Sequence, residues 1–151
     1  MLKIQFVCLV ALAVVCTSVA AGQNGESRML ELKNVAEIYY GAFSGEYSAG
    51  DIPLSDDISF KSPLAALSDA ESFRGALTDL FTRVQDLSID SQLMDGTTVL
   101  SFYELDLGAP GGPIPMAERL TVEDGAITAI QLLFDPSLLP APPDTGQGQE
   151  G

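Results

Sequence analysis

The sequence predicts an α+β domain, because helix-like patterns are followed by a series of strands joined by tight turns. Leu32, Val35, Ala36, Tyr39 and Phe43 recur at spacings of three and four, the period of a helix with one apolar face. From Asp86 onward the apolar period changes to two. Asp95-Gly96 and Asp124-Gly125 then mark hairpins, which make neighbouring strands antiparallel. A length of 151 residues suits one domain with a modest core.

The first stretch stands apart from that domain. Lys3 is followed by an apolar run over 4–15 and then by Cys16-Thr17-Ser18-Val19-Ala20-Ala21. A basic start, a short apolar core and small residues at the end describe a secretory signal peptide. The run falls short of the roughly 20 apolar residues that a membrane-spanning helix needs. A lipoprotein anchor at Cys16 is the rival reading, opposed by the bulk of Val15 just before the cysteine. The division expected is a signal peptide over 1–21, a polar lead-in over 22–28, a folded domain over 29–135 and a disordered tail over 136–151 rich in Pro, Gly and Gln. Such a protein is secreted or periplasmic, with no membrane attachment once the leader is removed.

Both cysteines, Cys8 and Cys16, fall in the leader, so disulfide and thiolate chemistry are excluded from the domain. Loss of Lys3 leaves six Lys and Arg against 21 Asp and Glu. That surface repels phosphate backbones and anionic headgroups, which argues against nucleic acid as a partner. The sequence contains no histidine, and so lacks both the usual base near neutral pH and the commonest zinc ligand.

The first helix is expected to run from the lead-in through Phe43 toward Tyr47, weakened at Gly41 and Gly45. Gly50 to Leu54 reads as a turn, followed by a short strand over 58–61 that Pro63 ends. Ser68 with Glu71 three residues on reads as a capping box for a second helix bearing Phe73, Leu77, Leu80, Phe81 and Val84. Strands follow over 87–93, 97–107, 114–122 and 126–134, with a wide Gly- and Pro-rich loop over 108–113.

Two-residue hairpins fix which side chains share a face. Centred on Asp95-Gly96 and Asp124-Gly125, they pair Ile89 with Phe102, Leu87 with Glu104, Arg119 with Ile130 and Ala117 with Leu132. With Leu107 opposite Ile114, Phe102 faces Arg119 and Glu104 faces Ala117. The inner face is then Leu87, Ile89, Leu93, Leu100, Phe102, Ala117, Ile130, Leu132 and Phe134, with Glu104 and Arg119 as neighbouring charges. The outer face carries Val99, Tyr103, Leu105, Met116, Glu118, Leu120, Ile127, Gln131 and Leu133. That second face is apolar enough to call for cover, most naturally a second copy of the chain.

Tyr39-Tyr40-Gly41-Ala42-Phe43, Gly50-Asp51, the stretch from Leu54 to Phe60 with Pro63, and the stretch from Ala117 to Ile127 continuing to Phe134-Asp135 together resemble the SnoaL-like branch of the nuclear-transport-factor-2 (NTF2) superfamily. The resemblance spans residues 30–135. It implies a cone: a curved, mostly antiparallel sheet wrapped around the N-terminal helices, a conical pocket, and homodimers across the convex face. It also implies no single activity, since the superfamily holds isomerases, hydrolases, cyclases and silent binding modules. Where the ketosteroid-isomerase branch has its base and its protonated acid, this chain has Ser62 and Ala117. Where the epoxide-hydrolase branch has its acid, it has Leu132. Neither family mechanism is expected here.

Glu104 and Arg119 remain as the chemical candidates, either as a structural ion pair, as a ligand-orienting pair or, for Glu104, as an acid or base. Tyr39 and Tyr40 stand where the isomerase branch has its oxyanion-donating tyrosine. The expected ligand-binding set is Tyr39, Tyr40, Phe43, Phe60, Phe81, Phe102, Glu104, Arg119, Leu132 and Phe134. Asp56-Asp57 and Glu123-Asp124 lack the ligand spacing of a calcium loop, and neither metal nor cofactor is expected. The function these residues suggest is binding of a small apolar molecule without catalysis by a known family mechanism. The alternatives are an isomerase, cyclase or lyase using Glu104, and a structural or protein-interaction module.

Overall fold

The computed structural model describes residues 16–140, with side chains from residue 22 onward. Most of the expected leader, 1–15, and most of the expected tail, 141–151, lie outside the described residues. Two helices and six strands follow in chain order. Helix α1 spans Cys16–Gly41 and α2 spans Ala70–Phe81. The strands are β1 Leu54–Lys61, β2 Ala66–Leu67, β3 Asp86–Asp95, β4 Thr98–Asp106, β5 Ile114–Glu123 and β6 Ala126–Leu133. Among the described residues no helix is long and apolar enough to cross a membrane.

Helix α1 is longer than its apolar stripe. The lead-in 22–28 is itself helical, and every residue from 22 to 31 is exposed. Burial starts at Leu32 and continues through Val35, Ala36, Tyr39 and Tyr40. The helix does not reach Tyr47: it stops at Gly41, tightens into a 3-10 turn over Ala42–Ser44, and reverses at Gly45 with φ 79°. Glycine adopts that left-handed backbone without a β-carbon clash, which makes it a common helix stop. Helix α2 is capped one residue later than the capping box suggested. Asp69, in an extended conformation, accepts from the Ser72 amide at 2.7 Å, and Glu71 lies in the first turn where the helix dipole favours an acid.

The strands form one open sheet in the order β2-β1-β6-β5-β4-β3. All neighbours are antiparallel except β1 and β6, whose parallel pairing sets Phe60 beside Ile130. This α+β arrangement, a curved and unclosed sheet with helices against one face, is the architecture expected.

The registers differ from those expected, and the difference decides which face is inside. The first hairpin turns on Gly96-Thr97, with Asp95 opposite Thr98 and Gly96 at φ 58°. A shift between Ile89 and Ser91 then sets Leu93 opposite Leu100 but Ile89 opposite Tyr103. Leu93 and Ile89 therefore lie on opposite faces, although both were expected inside. Across the wide loop Leu105 pairs with Ile114, so Phe102 faces Ala117, Leu100 faces Arg119 and Glu104 faces Pro115. A further shift beside Thr121 sets Arg119 opposite Gln131 and Glu118 opposite Leu132.

On β4 and β5 the helices cover the face that had been expected outside, whereas Ile130 of β6 is buried as expected. Val99, Tyr103, Leu105, Met116, Leu120, Ile127 and Ile130 are buried against Leu32, Val35, Tyr39, Phe73 and Leu77. The uncovered convex face carries Leu93, Phe102 and Leu133 at 64%, 44% and 56% exposure, with Glu104 and Arg119 also exposed.

Candidate functional site

The residue that commands the interior is Glu118, on β5 and only 1% exposed. Its neighbours on the strand, Ala117 and Arg119, point the other way, as the pleat requires. Three phenols converge on its carboxylate. Tyr39 Oη donates to Oε1 at 2.9 Å, Tyr40 Oη donates to Oε2 at 3.0 Å, and Tyr103 Oη reaches Oε2 at 3.4 Å. The two helical tyrosines are consecutive, yet both face the sheet because they end α1 where its buried stripe is widest. Tyr39 and Tyr40 meet edge to face at 5.0 Å, and Tyr40 meets Tyr103 likewise at 5.7 Å.

Burial dominates the electrostatics. Desolvation pushes the Glu118 carboxyl up to about 7, and the three phenol hydrogen bonds pull against it. The same burial, followed by the nearby Glu118 charge, holds the Tyr39 and Tyr103 hydroxyls well above their ordinary value. Tyr40 is raised for the same two reasons, with Ser101 pulling the other way. The cluster is thus a carboxyl balanced near neutrality, held by phenols that stay protonated and donate to its charged form.

A polar path leads outward from it. Ser101, fully buried, is paired with Glu118 across β4 and β5, and Gln92 on the edge strand donates from Nε2 to Ser101 Oγ at 3.0 Å. Among the described residues no buried side-chain nitrogen or oxygen lacks a partner.

Residues expected to line a conical pocket pack together in the core. Tyr39, Tyr40 and Phe43 are core residues, and Phe60, Phe81, Leu132 and Phe134 pack half-buried against them. Phe43 and Phe81 stack edge to face at 5.0 Å, and Phe60 sits against Phe73 at the same distance. An open space lies beside the cone. A groove of about 490 Å³ runs between α1 and β3, lined by Lys33, Ala36, Glu37, Tyr40, Gly41, Ser44, Glu46, Leu87, Ile89 and Gln92. Tyr40 and Gln92 belong both to this groove and to the buried network. A second depression, about 440 Å³ and mostly polar, lies by the β5–β6 hairpin at Ser55, Asp57, Glu123, Asp124, Ala126 and Thr128. Among the described residues no three potential metal-ligating side chains converge.

Glu104, Arg119 and Phe102 stand away from both the cluster and the groove, on the convex face. Glu104 and Arg119 are not neighbours: their opposite partners, Pro115 and Leu100, put them four residues apart along the strand pair, about 13 Å. Arg119 instead donates to Gln131 Oε1 at 2.9 Å. The expected pair fails because the loop before β5 shifts its register by two residues. Glu118 was passed over because its face had been placed outside. The sequence held a signal that could have found it: two tyrosines on the inward stripe of α1, and a third on the Glu118 face, supply enough donors to bury one carboxylate.

No protein-family model matches the chain, and no curated protein matches it. Solved structures do. An NTF2-like protein of unknown function from Cytophaga hutchinsonii is 17% identical, with 74% of this chain and 90% of that one covered at a TM-score of 0.54. A steroid delta-isomerase from Pseudomonas aeruginosa is 20% identical, with 70% and 80% covered at 0.60. An LEH-like epoxide hydrolase from M. tuberculosis is 20% identical, with 72% and 86% covered at 0.59. At these identities the likeness is one of fold, and two enzymes of different chemistry share it. The open sheet wrapped on α1 and these likenesses show that the chain has the NTF2-like α+β fold.

Proposed function

We propose that this domain binds a small, largely apolar molecule in the groove between α1 and β3, with Tyr40 and the Glu118 carboxyl behind it as the polar end of the site. The observation that carries the reading is the double membership of Tyr40, which lines the groove and donates to Glu118. The groove volume is within the range of small-molecule sites, and Leu87, Ile89 and Ala36 give it apolar walls. Titration of the purified protein with small aromatic alcohols, followed by amide NMR, tests it. Shifts centred on Tyr40, Leu87 and Ile89 are expected; saturable shifts confined to the second depression at Asp57 and Asp124 would refute it.

Proton transfer is the second reading, and the carboxyl held near 7 favours it. It moves the acid or base from Glu104 to Glu118. A substrate would have to displace the Tyr40 hydroxyl to reach Oε2, so Tyr40 would act as a gate.

The domain works as a homodimer in this reading, through the convex face. Leu93, Leu100, Phe102, Ala117 and Leu133 form adjacent cross-strand pairs there, an apolar patch bordered by Glu104 and Arg119. Charges of opposite sign at its two ends suit a two-fold contact, which lays one end over the other. Export follows from the leader over 1–21.

A further inference from the structure

We infer that the groove selects a positively charged amphiphile, an alkyl or aryl amine, over a neutral molecule or a carboxylate of the same size; this rests on ligand binding in the groove as proposed above. The first support is the end of α1. The 26-residue helix terminates at Gly41, inside the groove, and its last turn carries no basic side chain. The C-terminal end of a helix bears partial negative charge, which a cation within a turn of it stabilises. Here Gly41 O accepts from Glu46 N at 3.0 Å and Ser44 Oγ at 2.9 Å, and no cationic group among the described residues caps it. The chain supplies the opposite. Glu46 lies over that helix end, with Oε2 3.4 Å from where a β-carbon on Gly41 would stand. Two carboxylates, Glu37 and Glu46, thus line the groove against one ammonium, Lys33, which sits eight residues back along α1, about 12 Å away.

The second support is the wider field. With 21 acidic and seven basic residues the protein concentrates cations at its surface and repels anions. A ligand ammonium at Gly41 and Glu46 would supply the missing counter-charge, while its apolar part lay along Leu87 and Ile89.

Three probes of one skeleton test this: 2-naphthylmethylamine, 2-naphthylmethanol and 2-naphthoate, titrated into the purified protein and followed by amide NMR. The amine is expected to bind about 5- to 10-fold tighter than the alcohol, and the carboxylate weakest of all. The advantage of amine over alcohol should shrink in 0.5 M salt and in the Glu37→Gln, Glu46→Gln double variant. It should persist in Glu123→Gln, on the distant hairpin. Equal binding of amine and alcohol, or tighter binding of the carboxylate, overturns the charge preference while leaving the groove as a binding site. If none of the three shifts Tyr40, Leu87 or Ile89, the groove reading falls and the inference with it.

Discussion

The hydroxyl of Tyr39 donates to Oε1 of Glu118 at 2.9 Å, joining residues 79 positions apart in sequence. That bond ties α1 to the middle of the sheet at the point where both are fully buried. Tyr40 takes the second oxygen, so one carboxylate fixes both the depth and the rotation of the helix. A satisfied polar group in a core specifies one arrangement more sharply than apolar packing, because displaced arrangements leave it unpaired.

The pH dependence of stability should carry the mark of this carboxyl. Its folded value of about 7 lies above the ordinary 4.5, so the unfolded chain gives up the proton first. Between those values the folded state holds more protons, and stability falls as pH rises, levelling above about 7. The shift corresponds to a loss of about 3 kcal/mol across the window. Denaturant unfolding at several pH values checks this, and Glu118→Gln should flatten the slope between pH 4.5 and 7. Asp51 and Asp69, whose carboxyls accept hydrogen bonds from Ser48 and Ser72 and sit below their usual value, act oppositely and only under about pH 4.

Removing one phenol donor should destabilise the charged form of Glu118 selectively. Tyr39→Phe and Tyr40→Phe are each expected to cost about 1–2 kcal/mol at pH 8, less at pH 5, and to raise the carboxyl further. Tyr103→Phe should do less, since its contact is the longest at 3.4 Å. Carbon-13 titration of the Glu118 carboxyl, beside unfolding curves for the three variants, separates these outcomes.

Phe102→Asp should turn a dimer into a monomer while leaving the fold intact, because the ring is exposed on the convex face. Sedimentation velocity with circular dichroism reads both. Glu104→Gln, at the border of the same patch, should change monomer stability by less than about 0.5 kcal/mol.

The cap of α2 gives a local test. Asp69→Ala should cost about 1 kcal/mol, while Ser68→Ala should cost only a few tenths. Equal losses in thermal unfolding would restore Ser68 as the cap.

The sequence carries the elements of this fold more clearly than their pairing. The hairpin at Asp124-Gly125 was legible because both residues adopt positive φ, 51° and 75°, as tight hairpins demand. The second helix was legible from the spacing of Phe73 and Leu77. The parallel pairing of β1 with β6, such as Phe60 beside Ile130, was not, because no turn connects those strands. The inside of β4 and β5 was misjudged for a physical reason. Both faces alternate apolar and polar residues, and Phe102 with Leu100 looks as suited to a core as Val99 with Leu105. The shift beside Ile89 then moves one end of β3 to the other face without any glycine or proline to announce it. Tyr39 and Tyr40 stood out from the resemblance, but their hydrogen-bond partner Glu118 was hidden by that choice of face.

Native mass spectrometry of the protein purified from its own source, without organic solvent, tests ligand binding at the Tyr40 groove most directly. The expected result is a dimer carrying a reproducible small-molecule mass that is lost in Leu87→Arg, which fills the groove next to Tyr40. A wild-type dimer of bare mass, or the same added mass on both proteins, would contradict it.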